Sequence, residues 1–280
     1  MKISFSNDIL FAEADTLGAE LISIRLHGHE KLWQGNEWPH HAPILFPVCG
    51  CCRPIIGGKE YPLERHGFAR EKKFQVKVQR KNAVCFELCS DEETRAQFPY
   101  DFIFRVRYSL RENRLHIAYE IENPADTTLY FSCGGHESFS LPRPLKEFEL
   151  RFSVREKFTT LLHNNAGLLT GETLDFGTGT NFPLPDDFLV NGNTLIFKNI
   201  RSRRLWLCER GGKRVAEVSF SGFENLLLWR TDSQDMLCIE PWHNLPDGLV
   251  PVEFSEKEGI VALPPRKKKK FIRTITYFKE

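Results

Sequence analysis

Apolar and polar residues alternate with a period of two along most of this chain. The alternation is clean over residues 74–80, 102–110 and 115–122, and a short loop at 111–114 joins the last two segments. Alternation of this kind places one face of a β-strand in the core and the other face in solvent. Further segments of the same kind cover residues 148–152, 194–197, 204–208, 215–220 and 271–278. Gly, Pro, Asn and Asp separate them at the spacing typical of a β-sandwich or barrel.

Helical patterns are weak in comparison. Residues 91–98 predict roughly two turns of surface helix, which must end before Pro99. No Pro- or Ser-rich linker divides the chain, and no short-period repeat of the solenoid kind is visible. The pattern therefore predicts an all-β protein, with one antiparallel domain over residues 1–280.

A buried strand near the C-terminus carries the most unusual charged residue. Residues 236–239 are apolar or thiol side chains that lead into Glu240, and Pro241 and Trp242 follow directly. Because proline cannot donate a hydrogen bond to a central sheet, we expect this strand to end at Pro241. A carboxylate at the end of a buried strand costs free energy unless it has polar partners or takes up a proton. Glu240 is therefore a candidate acid or base.

Charge and composition exclude several classes of protein. The 38 Lys and Arg residues nearly balance the 37 Asp and Glu residues, which argues against a nucleic-acid or membrane partner. The basic residues 266–270 are expected in a solvated loop. No apolar run approaches the ~20 residues that a membrane span needs, and the first residues lack the features of a signal peptide. We expect a cytoplasmic protein.

The eight cysteines include an unusual group at Cys49, Cys51 and Cys52. A closed zinc site requires four ligands, usually in paired spacings, and no second cysteine pair with such a spacing is present. Reduced thiols without a metal are the favoured interpretation, and a disulfide framework is not expected in a cytosolic chain.

Two segments contain histidines that could act together with Glu240. His136 follows Gly134-Gly135 at the end of a strand-like segment, and paired glycines permit close approach of a ligand or backbone. His66 and Arg70 bracket Gly67-Phe68. A carboxylate, imidazoles, arginines and aromatic rings are suited to moving protons on a polyhydroxylated substrate.

Three motifs in this order resemble those of the aldose 1-epimerase (galactose mutarotase) superfamily. They are His66-Gly-Phe-Ala-Arg70, Gly134-Gly-His-x-x-Phe139 and Cys238-Ile-Glu-Pro-Trp242. The resemblance spans the chain and is greatest to the bacterial branch that accompanies lactose operons. It implies a β-supersandwich fold, interconversion of the α and β anomers of a free aldose, and neither a metal nor an organic cofactor.

The resemblance also implies roles for individual residues. Glu240 would take the proton of the anomeric hydroxyl, and His136 would protonate the ring oxygen. We expect these two side chains to converge on one cleft, separated by about the width of a sugar ring, roughly 5–9 Å as for the carboxylates of glycosidases. His66 would hydrogen-bond a sugar hydroxyl or the ring oxygen. Apart from the resemblance, Arg70 and Trp242 are further candidates to contact the sugar.

One position departs from the family pattern. After Phe46-Pro47 the family has a Gly-Arg pair whose arginine contacts the sugar, and here Cys51 stands at the arginine position. Arg53 lies two residues later, and it is the candidate to replace this contact.

Two alternative functions remain open at this point. A mutarotase for hexose 6-phosphates would hold the phosphate with arginines such as Arg53, Arg65 and Arg70. A non-catalytic carbohydrate-binding protein could share the same fold. In each case the partner is a small-molecule sugar, and the protein is expected to be a monomer or homodimer.

Overall fold

The computed structural model describes residues 1–233 and 235–279, and β-strands dominate it. The first strands are β1 (Lys2–Ser6), β2 (Leu10–Asp15), β3 (Leu21–Leu26), β4 (His29–Glu30), β5 (Ile55–Ile56), β6 (Lys59–Glu60), β7 (Gln75–Arg80) and β8 (Ala83–Cys89). The next are β9 (Ile103–Arg111), β10 (Arg114–Glu122), β11 (Leu129–Phe131), β12 (Glu137–Ser140), β13 (Phe148–His163), β14 (Leu169–Pro183) and β15 (Leu195–Phe197). The last are β16 (Arg204–Glu209), β17 (Arg214–Ser219), β18 (Asn225–Trp229), β19 (Met236–Trp242), β20 (Val261–Leu263) and β21 (Lys268–Tyr277).

Helices are few and short. The α-helix α1 (Glu92–Gln97) begins after Asp91, whose side chain accepts a hydrogen bond from the Thr94 backbone N–H and closes a capping box. Single 3₁₀ turns occur at Ala69–Glu71, Leu145–Glu147 and Phe254–Glu256. The predicted surface helix at 91–98 is confirmed.

One antiparallel sheet of 13 strands organises the molecule. Its order is β12-β19-β18-β15-β13-β16-β17-β21-β10-β9-β8-β7, and β14 pairs with β13. Strands β1 to β4 form a separate sheet of four, and β5-β6 and β11-β20 form small pairs. This architecture confirms the all-β prediction and the β-supersandwich fold. That residues 1–280 form one domain stays a prediction.

Phenylalanine rings form a large part of the core and hold the His66 loop in place. The Phe46 ring packs on Phe104 and Phe102, with centroids 4.5 and 5.0 Å apart. The Phe46 backbone N–H donates to the His66 carbonyl, and its own carbonyl accepts from Phe68. Gly67 between them has a φ of +74°, and a Cβ there would overlap the Phe46 carbonyl. A side chain larger than hydrogen is therefore excluded at Gly67.

Most strand predictions are confirmed, but the predicted end of the Glu240 strand is wrong. Strand β19 continues through Pro241 to Trp242. The register that pairs Glu137 with Ile239 continues to a bridge between Gly134 and Trp242, which places Gly135 opposite Pro241. The Pro241 carbonyl accepts from the Gly135 N–H, and the proline lacks only the reciprocal N–H, so pairing continues past it.

The basic run at 266–270 is exposed as expected, but its last three residues are strand rather than loop. Lys268 and Lys270 lie opposite Glu122 and Glu120 of β10, and Lys268 forms an ion pair with Glu122 at 3.0 Å. Facing carboxylates offset much of the positive charge of this run, which agrees with a solvated structural role.

All eight cysteines are free thiols, as predicted. Within residues 1–233 and 235–279, none of the helices has the length and apolar composition that crossing a membrane would require.

The buried His243 predicts a loss of stability in acid. Its ring lies against Phe223 and Phe271, with centroids 4.5 and 4.4 Å away, and burial lowers its pKa to about 4. Between pH 6.5 and 4 this histidine is protonated in the unfolded chain but not in the folded chain. The free energy of unfolding therefore decreases as pH falls through this range. We expect His243→Phe to reduce that loss by up to about 1.4 kcal/mol per pH unit. Urea unfolding at pH 7.5 and 5.0 measures it.

The exposed His29→Gln variant controls for removing one histidine. If wild type and His243→Phe lose equal stability between the two pH values, the assignment of acid sensitivity to His243 is wrong.

Candidate active site

A cavity of about 260 Å³ lies at the β12 end of the large sheet. Its walls come from β19, β18, β15 and the end of β13, together with the loops that carry His66 and His136. This volume lies just below the roughly 300–1,000 Å³ of typical ligand cavities and suits a ligand of few heavy atoms. The structure brings five of the six predicted site residues to its lining: Glu240, His136, His66, Arg70 and Trp242.

Glu240 and His136 are in direct contact at this cavity. His136 Nε2 lies 3.2 Å from Glu240 Oε2, and the two residues are 6% and 1% exposed. Adjacent strands bring them together, because Glu137 of β12 pairs with Ile239 of β19. The convergence on one cleft is thus as expected, whereas the expected separation of a sugar-ring width is wrong. The register of these segments, continued by the bridge between Gly134 and Trp242, places His136 directly opposite Glu240.

Burial controls the protonation of the pair. Burial raises the pKa of Glu240 well above its ordinary value, and the nearby Glu137 charge adds to the effect. Burial also lowers the pKa of His136 to about 3. Near neutral pH the pair therefore shares one titratable proton, in addition to the N–H of the neutral imidazole. The uncharged form, in which Glu240 is protonated and His136 is neutral, is favoured.

His66 presents a hydrogen-bond donor to the cavity. Its Nδ1 accepts from the Gly50 backbone N–H at 3.1 Å. Burial lowers the pKa of His66 well below its ordinary value, and electrostatic interactions with His136 and Arg70 act in the same direction. The ring is therefore neutral with its proton on Nε2, and this tautomer leaves an N–H available to an acceptor.

Aromatic rings form much of the cavity wall. The Trp242 ring lies edge-on to His66, with centroids 5.3 Å apart. Trp38 lies 4.8 Å from the His136 ring and 5.3 Å from Trp229. Flat rings beside polar groups are suited to a ligand with both apolar C–H faces and hydroxyl groups.

The arginines are placed differently from the sequence expectation. Arg53 is not among the lining residues found in the described part of the chain; its backbone N–H donates to Asp247 Oδ2 at 2.6 Å. Arg65 lines the cavity instead, and its Nε donates to Cys51 Sγ at 3.1 Å. Arg70 lines the cavity and lies 3.4 Å from the Glu71 carboxylate.

A buried ion pair supports the His136 segment from behind. Arg273 of β21 forms a two-pronged contact with Glu137, one arm at 2.7 Å, and also donates to the Tyr119 hydroxyl at 2.7 Å. A Cβ on Gly135 would overlap the Arg273 guanidinium, so glycine is required at that position. The residue after His136 is thereby linked to the core of the sheet.

One group among the described residues has the geometry of a metal site. His136, Cys238 and Glu240 each offer a ligand atom within 4.8 Å of one another, and the group does not include Cys49, Cys51 or Cys52. Metal binding would require thiolate and carboxylate forms. Burial raises the pKa of both Cys238 and Glu240 well above their ordinary values, so this donor set favours protons over a metal ion.

Sequence reasoning missed Trp38 and Trp229, and it named Arg65 only as a possible phosphate contact. Trp229 is the last residue of β18 and lies two positions after Leu227, which also lines the cavity. Period-two alternation places both side chains on the same face of the strand and could have indicated Trp229. Trp38 lies in an irregular loop, where no periodicity indicates which way a side chain points.

Comparisons with known proteins agree with this architecture. A sequence model of the family described as aldose 1-epimerase matches residues 1–258. The plasmid-encoded protein LacX of Lactococcus lactis subsp. lactis is 29% identical over 268 residues, which is 89% of this chain and 90% of LacX. A provisionally named glucose-6-phosphate 1-epimerase of Salmonella typhimurium is 31% identical over 103 residues, 33% of this chain and 34% of that protein.

Solved structures show the same overall similarity. A galactose mutarotase related enzyme from Lactobacillus acidophilus superimposes with a TM-score of 0.91 at 28% identity, covering 100% of this chain and 98% of that one. A galactose mutarotase-like protein from Lactobacillus casei has a TM-score of 0.92 at 25% identity, covering 99% and 100%.

The buried carboxyl of Glu240 predicts a stability gain when it is removed. Its folded-state pKa lies above the unfolded value, so wild type loses stability as pH rises above about 4.5. Glu240→Gln should therefore be more stable than wild type at pH 8, and the difference should shrink toward pH 5. Urea unfolding at the two pH values tests this.

Glu137→Gln is the matched comparison and should have the opposite sign. Leaving Arg273 without its carboxylate should cost roughly 3–5 kcal/mol. A Glu240→Gln variant that is less stable than wild type at pH 8 would contradict the prediction.

Proposed function

Because this chain belongs to the aldose 1-epimerase family, we propose that it interconverts the α and β anomers of a free aldose by opening and reclosing the sugar ring. Its substrate is then a small neutral sugar, and its catalytic groups are Glu240 and His136.

The observation that carries this proposal is a set of unpartnered buried polar atoms in one cavity. Glu240 Oε1, His136 Nδ1 and Trp242 Nε1 make no hydrogen bond of good geometry within the described residues, although all three side chains line the cavity. Trp242 interacts with the Glu240 carboxyl, and this is the smallest of the influences on the pKa of Glu240. Leaving such groups unsatisfied costs about 1–3 kcal/mol each. A ligand rich in hydroxyl groups supplies both donors and acceptors at close spacing, as a pyranose does.

The Glu240–His136 pair provides both the acid and the base that ring opening requires. Transfer of its single proton across the 3.2 Å contact converts the neutral pair into a carboxylate and an imidazolium. Glu240 then takes the proton of the anomeric hydroxyl, and His136 gives its proton to the ring oxygen. The bond between the anomeric carbon and the ring oxygen breaks, and a carbonyl forms.

Ring closure uses the same groups in reverse. After rotation about the C1–C2 bond, His136 takes the proton of the attacking hydroxyl and Glu240 returns a proton to the carbonyl oxygen. The pair ends with the one proton it began with, so no net proton is consumed. No redox step or group transfer is involved.

The remaining residues hold the sugar while the ring opens. The neutral His66 donates its Nε2 proton to a sugar oxygen, and Trp242 and Trp38 pack against C–H faces of the ring. Arg70 contributes further hydrogen-bond donors. We assign no sugar contact to Arg53, since Arg65 lies at the cavity in its stead.

Removing the base is the direct test of this function. Glu240→Gln keeps the size of the side chain but cannot accept the proton, so the enzymatic rate should fall about 10²–10⁴-fold. Polarimetry or NMR exchange of freshly dissolved α-glucose and α-galactose measures the rate above the spontaneous reaction.

Glu60→Gln, on an exposed strand outside the lining found in the described residues, is the matched control and should leave the rate unchanged. A Glu240→Gln enzyme as active as wild type would remove Glu240 from the mechanism. Saturable sugar binding to wild type without acceleration would identify a carbohydrate-binding protein instead.

A second candidate, the anomerisation of a sugar phosphate, is favoured by Arg65. Its positive charge lies at the cavity, where it would attract an anionic substituent remote from the anomeric carbon. The local similarity to the Salmonella protein points the same way. Comparing glucose with glucose 6-phosphate in the same assay separates the candidates. Acceleration confined to the phosphate ester, and lost in Arg65→Gln, would select the second one.

A further inference from the structure

Of the three clustered cysteines, Cys51 alone combines partial exposure with a position at the cavity. Cys49 and Cys52 are buried. Burial raises the pKa of Cys49 far above its ordinary value, and burial together with the Asp247 charge raises that of Cys52 to about 12. Cys51 is half-buried and lines the cavity. The mechanism proposed above makes no use of its thiol.

A cation lies directly on the Cys51 sulfur. Arg65 Nε donates to Cys51 Sγ at 3.1 Å. The guanidinium places a positive charge beside the sulfur, where it would attract an anionic disulfide. Gly167 of the β13–β14 loop packs closely against this contact, because a Cβ there would lie 2.8 Å from the sulfur and 2.9 Å from the Arg65 guanidinium.

The backbone around Cys51 is held from several sides. Its carbonyl accepts from the Asp247 N–H at 2.8 Å, and the Asp247 carboxylate accepts from the Arg53 N–H. Asn244 binds both the N–H and the carbonyl of Cys49. The thiol is therefore presented at a defined position rather than on a loose loop.

The same cavity contains the unpartnered polar atoms of Glu240, His136 and Trp242, all more than nine-tenths buried. These atoms indicate that a ligand enters the cavity that Cys51 also lines. Any group attached to that sulfur would occupy the space which the ligand needs, since the cavity holds only about 260 Å³.

We propose that Cys51 is a site of thiol–disulfide exchange. One half of a small-molecule disulfide becomes bonded to its sulfur and fills the cavity. The Cys51 thiolate attacks one sulfur of the disulfide, a new S–S bond forms, and the other half leaves as a thiolate. Attack by a second small thiol on the mixed disulfide regenerates Cys51 and reopens the cavity. No other oxidant or reductant is required.

The test uses the full chain and two disulfides, oxidised glutathione and dithiobis(nitrobenzoate). Wild type should show one fast phase of modification, which peptide mass mapping locates to Cys51. Sugar should slow this phase, and dithiothreitol should reverse it. Mutarotation should be lost at the same rate as the thiol is modified. Arg65→Gln should slow modification of Cys51 about tenfold, because the positive charge that attracts both anionic disulfides to the sulfur is removed.

Two variants serve as controls. Cys51→Ser should lose the fast phase of modification. Its mutarotation rate before treatment, whatever its value, should not change when either disulfide is added. Cys89→Ser removes an exposed thiol on β8, outside the cavity lining, and should retain wild-type activity and the fast phase. Fast labelling of Cys89 with Cys51 untouched, or equal inactivation of Cys51→Ser and wild type, would overturn the proposal.

The loss of activity in this experiment rests on the proposed mutarotation, whereas the labelling does not. Suppose that wild type does not accelerate the mutarotation of any sugar, but is modified selectively at Cys51 and is protected by sugar. This result would refute the proposed function and support the thiol site. Active wild type whose Cys51 stays unmodified would do the reverse.

Discussion

The ion pair between Arg273 and Glu137 is the contact on which the geometry of the site depends. Arg273 is 1% exposed and lies on β21 in the middle of the large sheet, whereas Glu137 begins β12 at its edge. Their two-pronged contact, with Tyr119 as a third partner, joins the core to the residue next to His136. Buried charges are tolerated only when they are paired in this way, so the contact also demands a single arrangement of these strands.

The same ion pair connects packing with chemistry. The Glu137 carboxylate contributes to the raised pKa of Glu240, and burial of the whole region is the larger cause. Burial acts in opposite directions on a carboxyl and an imidazole, and this is why one proton suffices for Glu240 and His136 together. A more open site would leave Glu240 ionised and would remove the basis for a shared proton.

The site residues that could be predicted are those next to a backbone signal. Glu240 was visible because a charge ends an apolar strand, and His136 because two glycines precede it. Arg53 was predicted because it lies two residues after Cys51, the position where the family has an arginine. Its backbone N–H instead donates to Asp247, and Arg53 is not among the lining residues in the described part of the chain. Arg65 does, because the loop that positions His66 also brings the neighbouring side chain to Cys51.

The sequence by itself determined the all-β architecture, since period-two alternation and turn residues specify strands locally, without reference to their partners. It also determined which residues could exchange protons. Only the tertiary structure decided that Glu240 and His136 touch, that β19 continues through Pro241, and that Arg65 rather than Arg53 lines the cavity. These outcomes depend on register between strands far apart in the chain, and no local pattern encodes such a register.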